Sequence, residues 1–153
     1  MSVLGTRRFQ HVMVAMDGSE SSNRAFQVGV DFTIMLKAEL TILHIVEIPT
    51  SIYFPPEPIE VDVEKIQGRE MTEGEKLVSN AASLAELKGL KANQKVMRHM
   101  GSVAEGIREY ADKNGIDLII MGTRGLGGVK RLLFSSVAGG VVSNANCSVL
   151  VVR

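Results

Sequence analysis

Five short apolar runs recur along the chain, and longer segments with helical periodicity separate them. The runs cover residues 11–16, 39–46, 93–99, 117–121 and 148–152. Short aliphatic runs of this kind predict buried strands. In the segments between them, apolar residues recur every three or four positions, which predicts amphipathic helices. The alternation indicates an α/β fold whose parallel sheet is covered by helices on both faces.

The relative polarity of the runs predicts their order in the sheet. The run 117–121 (DLIIM) is the most apolar and should be central, whereas 93–99 is more polar and should lie near an edge. With right-handed crossovers, this gives a doubly wound five-stranded sheet in the order 3-2-1-4-5. We expect one domain over residues 1–153, interrupted by a long loop at 47–65 that holds all four prolines.

Composition narrows the class of protein. Lys plus Arg equals Asp plus Glu at 17 each, which argues against binding nucleic acid through bulk charge. Cys147 is the only cysteine, so neither an intrachain disulfide nor a cysteine-based metal site is expected. No apolar run approaches the roughly 18 residues of a membrane span, and the N-terminus lacks a signal-peptide pattern. We therefore expect a cytoplasmic protein that does not bind membranes.

Two sequence-distant segments should meet where the winding of the sheet reverses. Ligands of doubly wound sheets bind at that point, beyond the carboxyl ends of the strands. In the order 3-2-1-4-5 it lies between strand one, which Asp17 follows, and strand four, which Gly122 follows. The glycine-dense stretch 122–128 can expose N–H groups to an anion, and a helix beginning at Ser135 or Ser136 adds its positive end. The hypothesis is a phosphate-binding cradle.

The common nucleotide fingerprints do not match this stretch. Gly122 and Gly127 have the spacing of a G-x-x-x-x-G-K-[ST] loop, but Gly128 stands where lysine is required. Gly125 begins a G-x-G-x-x-G pattern, but Lys130 fills its last position and the stretch follows the fourth strand. Both departures count against a Rossmann dehydrogenase.

The chain resembles the universal stress protein family in its single-domain, nucleotide-binding form. In that branch a G-x2-G-x9-G-[ST] motif follows strand four, and an aspartate ends strand one. Gly122, Gly125 and Ser136 match the motif, Asp17 matches the aspartate, and Ser135 replaces the third glycine. The closing run from Cys147 to Val152 is also family-like. The resemblance implies an adenine-nucleotide alpha-hydrolase-like fold and a stress-response regulator.

The resemblance also implies a ligand and its contacts. The ligand is ATP, which the sequence does not separate from AMP or ADP. Ile45 would contact adenine through its backbone, Ala15 would lie beside the base, and Asp17 would lie beside the ribose or a nucleotide-bound Mg²⁺. The residues assigned to the phosphates and ribose are Gly122, Thr123, Arg124, Gly125, Leu126, Gly127, Gly128, Ser135, Ser136, Val137 and Ala138. Ser135 either donates a hydrogen bond or narrows the site.

Three functions remain open at this stage. The first is a nucleotide-dependent sensor with little or no catalysis, because no nucleophile–base pair is evident. His44, in an apolar strand, is interpreted as a core histidine with a satisfied hydrogen bond. The second is a slow Mg²⁺-dependent ATPase, or a nucleotidyl-transfer enzyme, that uses Asp17 and Arg124. The third is a nucleotide-free interaction module. We also expect a homodimer through the apolar edge strand 148–152.

Overall fold

Strands and helices alternate throughout the computed structural model, which describes residues 9–48, 62–124 and 136–153. The strands are β1 (His11–Ala15), β2 (Glu39–Ile48), β3 (Ala92–Met100), β4 (Leu118–Gly122) and β5 (Ser148–Val152). The helices are α1 (Glu20–Leu36), α2 (Val63–Leu87), α3 (Val103–Lys113) and α4 (Ser136–Asn144). The predicted alternation is confirmed.

All five strands are parallel, in the order β3-β2-β1-β4-β5. This is the predicted order, and β4 is buried at every residue, as its apolar run indicated. Neighbouring side chains on β1 point to opposite faces. Val12 and Val14 join the core under α1 and α2, whereas Met13 joins the core under α3 and α4. The carboxyl ends of β1 and β4 therefore lie side by side at the reversal of winding.

The segment predicted as a loop at 47–65 is shorter at both ends. Strand β2 continues to Ile48, and α2 begins at Val63, three residues before the predicted start. The early start has a local cause, since the Asp62 carboxylate accepts a hydrogen bond from the Lys65 N–H at 3.0 Å and caps the helix. Residues 49–61 of the predicted loop lie outside the described residues.

Helix α1 buries most of the face that apolar spacing predicts, which comprises Ala25, Val28, Gly29, Phe32, Met35 and Leu36. Ala25 and Gly29 are buried and Phe32 and Leu36 pack against the core, whereas Met35 is 68% exposed. Phe26, Val30 and Thr33 are buried in addition. Thr33 can be buried because its Oγ1 donates to the Gly29 carbonyl at 2.7 Å. A count of apolar residues alone misses such a position.

Candidate functional site

The turn after β1, residues 16–19 (the Asp17 turn), is fixed by its own side chains. Asp17 Oδ1 accepts a hydrogen bond from the Ser19 N–H at 2.9 Å, and Gly18 adopts a φ of 84° that favours glycine. Ser19 then caps α1 by accepting from the Ser22 N–H at 3.2 Å. The Asp17 carboxylate is thereby held at the entrance to α1.

The turn after β4, residues 122–124 (the Gly122 turn), is hydrogen-bonded directly to the start of α1. Ser19 Oγ donates to the Arg124 carbonyl at 3.2 Å. In the opposite sense, the Arg124 N–H donates to Ser21 Oγ at 3.4 Å. Two turns more than 100 residues apart in sequence therefore form one rim, and we call the space between them the crevice.

Gly122 permits this close approach. A Cβ built at Gly122 would meet the Ser21 backbone, at 2.7 Å from its carbonyl carbon and 2.8 Å from its carbonyl oxygen. Any larger residue would push the first turn of α1 away from the end of β4. The family resemblance assigns Gly122 to phosphate contact, and the contact that the structure shows for it is with the first turn of α1.

Helix α3 supplies a wall of the crevice, and a capping box fixes its start. Ser102 Oγ accepts from the Glu105 N–H at 3.2 Å, while Glu105 Oε2 accepts from the Ser102 N–H at 3.0 Å. The hydrogen bond from the Ser102 backbone is the main cause that lowers the pKa of the Glu105 carboxyl below its usual 4.5. With this start fixed, Val103 and Ile107 face the crevice.

A cavity of about 130 Å³ opens inside the crevice. Its walls are mostly aliphatic, and its polar groups, Asp17, Ser22 and Arg124, come from the two turns and α1. An apolar cavity of roughly 150 Å³ can hold a benzene molecule, so the volume suits one planar ring system. The lining residues are Ala15, Met16, Asp17, Ser22, Leu43, Ile45, Val103, Ile107, Met121, Gly122, Arg124 and Val137.

The structure brings together about half of the residues assigned from the sequence. Those that line the cavity are Ala15, Asp17, Ile45, Gly122, Arg124 and Val137. Thr123 is buried, and its N–H donates to the Val152 carbonyl at 3.0 Å. Ser136 is exposed at the start of α4, and Ala138 is in the core. Gly125, Leu126, Gly127, Gly128 and Ser135 lie outside the described residues.

Sequence reasoning missed half of the cavity wall. The six lining residues that were not assigned to the site are Met16, Ser22, Leu43, Val103, Ile107 and Met121. Strand alternation offered one usable signal, because Leu43 and Ile45 share a face of β2. The position of α3 over the crevice had no local signal.

Two kinds of feature are absent from the described residues. Within 9–48, 62–124 and 136–153, no group of three His, Cys, Asp or Glu residues could hold a metal ion. Over the same part of the chain, no helix is long and apolar enough to cross a membrane.

Comparison with known proteins gives matches over nearly the whole chain. The model of the Universal stress protein family matches residues 8–153. Universal stress protein YxiE of Bacillus subtilis is 32% identical over 152 residues, which cover 95% of this chain and 99% of that protein. The structure of universal stress protein UspA from Lactobacillus plantarum superposes with a TM-score of 0.81 at 20% identity, covering 95% of this chain and 99% of that one.

Among the similar solved structures is a universal stress protein in complex with cAMP, 25% identical to this chain, with a TM-score of 0.71 and coverage of 95% of this chain and 98% of that one.

Proposed function

The chain belongs to the universal stress protein family, and on that basis we propose that it binds an adenine nucleotide, ATP in the first instance, in the crevice. The observation that carries the proposal is the pair of hydrogen bonds joining the start of α1 to Arg124. They hold the Asp17 turn and the Gly122 turn at one site beyond the carboxyl ends of β1 and β4, where this class of sheet binds ligands.

The adenine base would occupy the aliphatic cavity. Ile45 on β2 and Val103 and Ile107 on α3 offer apolar surface to a flat ring. Ala15 lies beside this surface, and the Ile45 backbone would supply the hydrogen bonds that identify the base. A relative that binds cAMP supports this assignment, since cAMP has the same base.

The ribose and phosphates would lie toward the Gly122 turn and the start of α4. Helix α4 begins at Ser136, and its next residue, Val137, lines the cavity, so the positive end of the helix dipole lies near the proposed phosphates. Arg124 would add a positive charge. We assign the remaining phosphate contacts to residues 125–128 and to Ser135, on the family resemblance alone.

Asp17 would hold a nucleotide-bound Mg²⁺ or the ribose. Its carboxylate already accepts the Ser19 N–H, so Asp17→Asn keeps an acceptor in the turn while it removes the charge. The variant should weaken MgATP binding by about tenfold and leave binding of metal-free AMP within a factor of about two. Equal losses for both ligands would assign Asp17 to the ribose rather than to the metal.

We further propose that nucleotide binding serves regulation rather than efficient catalysis, and that the protein works as a homodimer. The first part rests on family membership and on the lack of a nucleophile–base pair among the described residues that line the cavity. The second rests on β5, which lies at an edge of the sheet. All five of its residues, Ser148–Val152, are half-buried, and the last four are aliphatic, so the strand could pair with that of a second copy.

Nucleotide binding can be tested on freshly purified protein. Native mass spectrometry should show a co-purified adenine nucleotide and the mass of a dimer, and calorimetry should rank ATP, ADP, AMP and cAMP. Gly125→Val should weaken ATP binding by at least about tenfold, because a β-branched side chain would shield the backbone amides that the proposal assigns to the phosphates, while the thermal transition stays within about 2 °C.

The matched control is Gly68→Val, in α2, where an added Cβ meets no atom within 4 Å. This variant should bind ATP as the wild type does. Unchanged affinity in Gly125→Val would contradict the phosphate cradle. If the wild type hydrolyses ATP steadily with Mg²⁺ and Asp17→Asn does not, the protein is an ATPase and the proposal of a non-catalytic regulator is wrong.

A further inference from the structure

The ladder between β1 and β2 ends in an unusual way at Met16. The register pairs Ala15 with Leu43, and the Met16 N–H donates to the Leu43 carbonyl at 2.9 Å, as a regular parallel ladder requires. The next acceptor on this side is the Met16 carbonyl. Its hydrogen-bond partner is a side chain, since His44 Nδ1 lies 2.7 Å from the Met16 oxygen.

In a continued ladder, a main-chain group would make that hydrogen bond. The residue opposite Met16 would be His44, so the Met16 carbonyl would accept from the N–H of Ile45. The histidine ring takes the place of that amide. Alternate residues of a strand direct their peptide groups to the same side. Because Leu43 bonds toward β1, the N–H of Ile45 also points to that side, just past Ala15, the last residue of β1 that is paired with β2. Ile45 and Met16 both line the cavity.

The chemistry of the contact fixes the form of the ring. A carbonyl oxygen only accepts hydrogen bonds, so Nδ1 must carry a proton and donate it. Helix α2 holds the ring in this orientation, because a Cβ at Gly74 would lie 2.5 Å from His44 Cδ2 and 3.3 Å from Nε2. The same helix places Leu77 against Gly18 of the Asp17 turn, at 3.8 Å from the position of an added Cβ.

We propose that His44 is a positioning residue for the nucleotide, an inference that rests on the proposed function. Its Nδ1–H replaces the Ile45 N–H as the donor to Met16. This holds the Asp17 turn at the rim of the crevice, and it leaves the Ile45 amide directed at the adenine base instead of bound within the sheet. His44 itself touches no ligand in this scheme.

Two isosteric substitutions separate this role from packing. Asparagine places its amide nitrogen where Nδ1 stands, whereas leucine has the same shape and no donor. Both keep an atom at the position of Cδ2, the ring atom nearest to Gly74, and both lose Nε2 and Cε1, so they leave the same gap. His44→Asn should keep ATP affinity within about threefold of the wild type, and His44→Leu should lose about tenfold, the equivalent of one hydrogen bond.

A second measurement reports on Ile45 without any ligand. In the free wild-type protein, the Ile45 amide should exchange with deuterium readily for a residue in β2, and ATP should shift its resonance and slow the exchange. In His44→Leu, the Ile45 N–H should bond to Met16 and become protected before ATP is added. If His44 served packing alone, neither this exchange pattern nor a difference in ATP affinity between the two variants would be observed.

The outcomes distinguish the two proposals. If the wild type binds no adenine nucleotide, the proposed function fails and the role of His44 fails with it. If the wild type binds ATP but the asparagine and leucine variants bind it equally, or if the Ile45 amide is already protected in the free wild type, only the positioning role is overturned.

Discussion

Ser19 Oγ donates to the Arg124 carbonyl across 105 residues of sequence, at 3.2 Å. The contact joins the cap of α1 to the end of β4 and therefore restrains the helix start relative to the strand end. A site that binds a small ligand gains affinity from such pre-organisation, because less freedom is lost when the ligand arrives. For the same reason, a substitution that pushes α1 away from β4 should disturb the shape of the crevice.

Gly122→Ala should destabilise the whole fold rather than remove only a ligand contact. The added Cβ would meet the Ser21 backbone at 2.7–2.8 Å, and main chain cannot rotate aside as a side chain can. We expect a loss of about 1–3 kcal/mol in the free energy of unfolding, measured by urea denaturation without nucleotide. Gly68→Ala is the control, and with open space around its Cβ it should be neutral or stabilising. Wild-type stability in Gly122→Ala would mean that α1 is not seated as described.

Gly74→Ala tests the contact between α2 and His44. Alanine within a helix is ordinarily favourable by up to about 1 kcal/mol, but here the Cβ would lie 2.5 Å from His44 Cδ2 and 3.0 Å from Val96 Cγ1. We expect the clash to prevail in the wild-type background and to lower both the stability and the ATP affinity.

The double variant Gly74→Ala/His44→Ala completes a thermodynamic cycle. Alanine lacks the Cδ2 and Nε2 atoms that the new Cβ would meet, so the substitution at Gly74 should cost about 1 kcal/mol less than in the wild-type background. The measurement is urea unfolding of all four proteins. Strictly additive effects would show that the ring and the helix do not interact.

The Glu105 carboxylate should make the start of α3 depend on pH in the acid range. Its pKa is lowered in the folded protein, mainly by the Ser102 backbone N–H, so its stabilising effect is present above the unfolded pKa near 4.5 and is lost as pH falls through the folded value. The difference in unfolding free energy between the wild type and Glu105→Gln should be present at neutral pH and shrink in acid. Urea titrations across that range would measure it.

Ser102→Ala provides the matched comparison for that titration. It removes the hydroxyl that accepts the Glu105 N–H at 3.2 Å but leaves the carboxylate in place. Its cost of about 1 kcal/mol should persist at low pH, because the lost contact involves no titrating group. A pH-independent effect of Glu105→Gln would contradict the charge-assisted cap.

The general form of the site could be predicted from the sequence because it depends on topology. Once the apolar runs placed strands one and four side by side, Asp17 and Gly122 had to share an edge of the sheet. What the sequence could not supply depends on contacts between distant elements. Ile107 forms a wall because α3 packs over the crevice, and no local pattern encodes that position.

The roles of individual residues were harder to predict than the strand order. His44 was correctly expected to have a satisfied hydrogen bond, but its acceptor is the main chain of Met16, which no side-chain pattern reveals. Gly122 matched a motif associated with phosphate, yet its close neighbour in the structure is the Ser21 backbone. A motif identifies a position without stating which contact requires the residue.

Dimerisation through β5 can be tested with a single proline. The Val152 carbonyl accepts the Thr123 N–H, so the peptide groups of Val152 and Leu150 face β4 and those of Val149 and Val151 face outward. Val151→Pro removes an outward N–H and leaves the bonds to β4 intact. If two copies pair along β5, this variant should sediment as a monomer at concentrations where the wild type is a dimer.

The control for this test is Gln94→Pro at the opposite edge of the sheet. Gln94 is exposed on β3, and the register with β2 likewise turns its N–H outward. That edge carries Lys95 and Arg98, charges that discourage pairing between strands. Gln94→Pro should therefore leave the mass of the assembly unchanged. If Gln94→Pro loses the dimer and Val151→Pro keeps it, the interface lies at β3 instead of β5. If the wild type is monomeric at every concentration, the proposed homodimer is wrong.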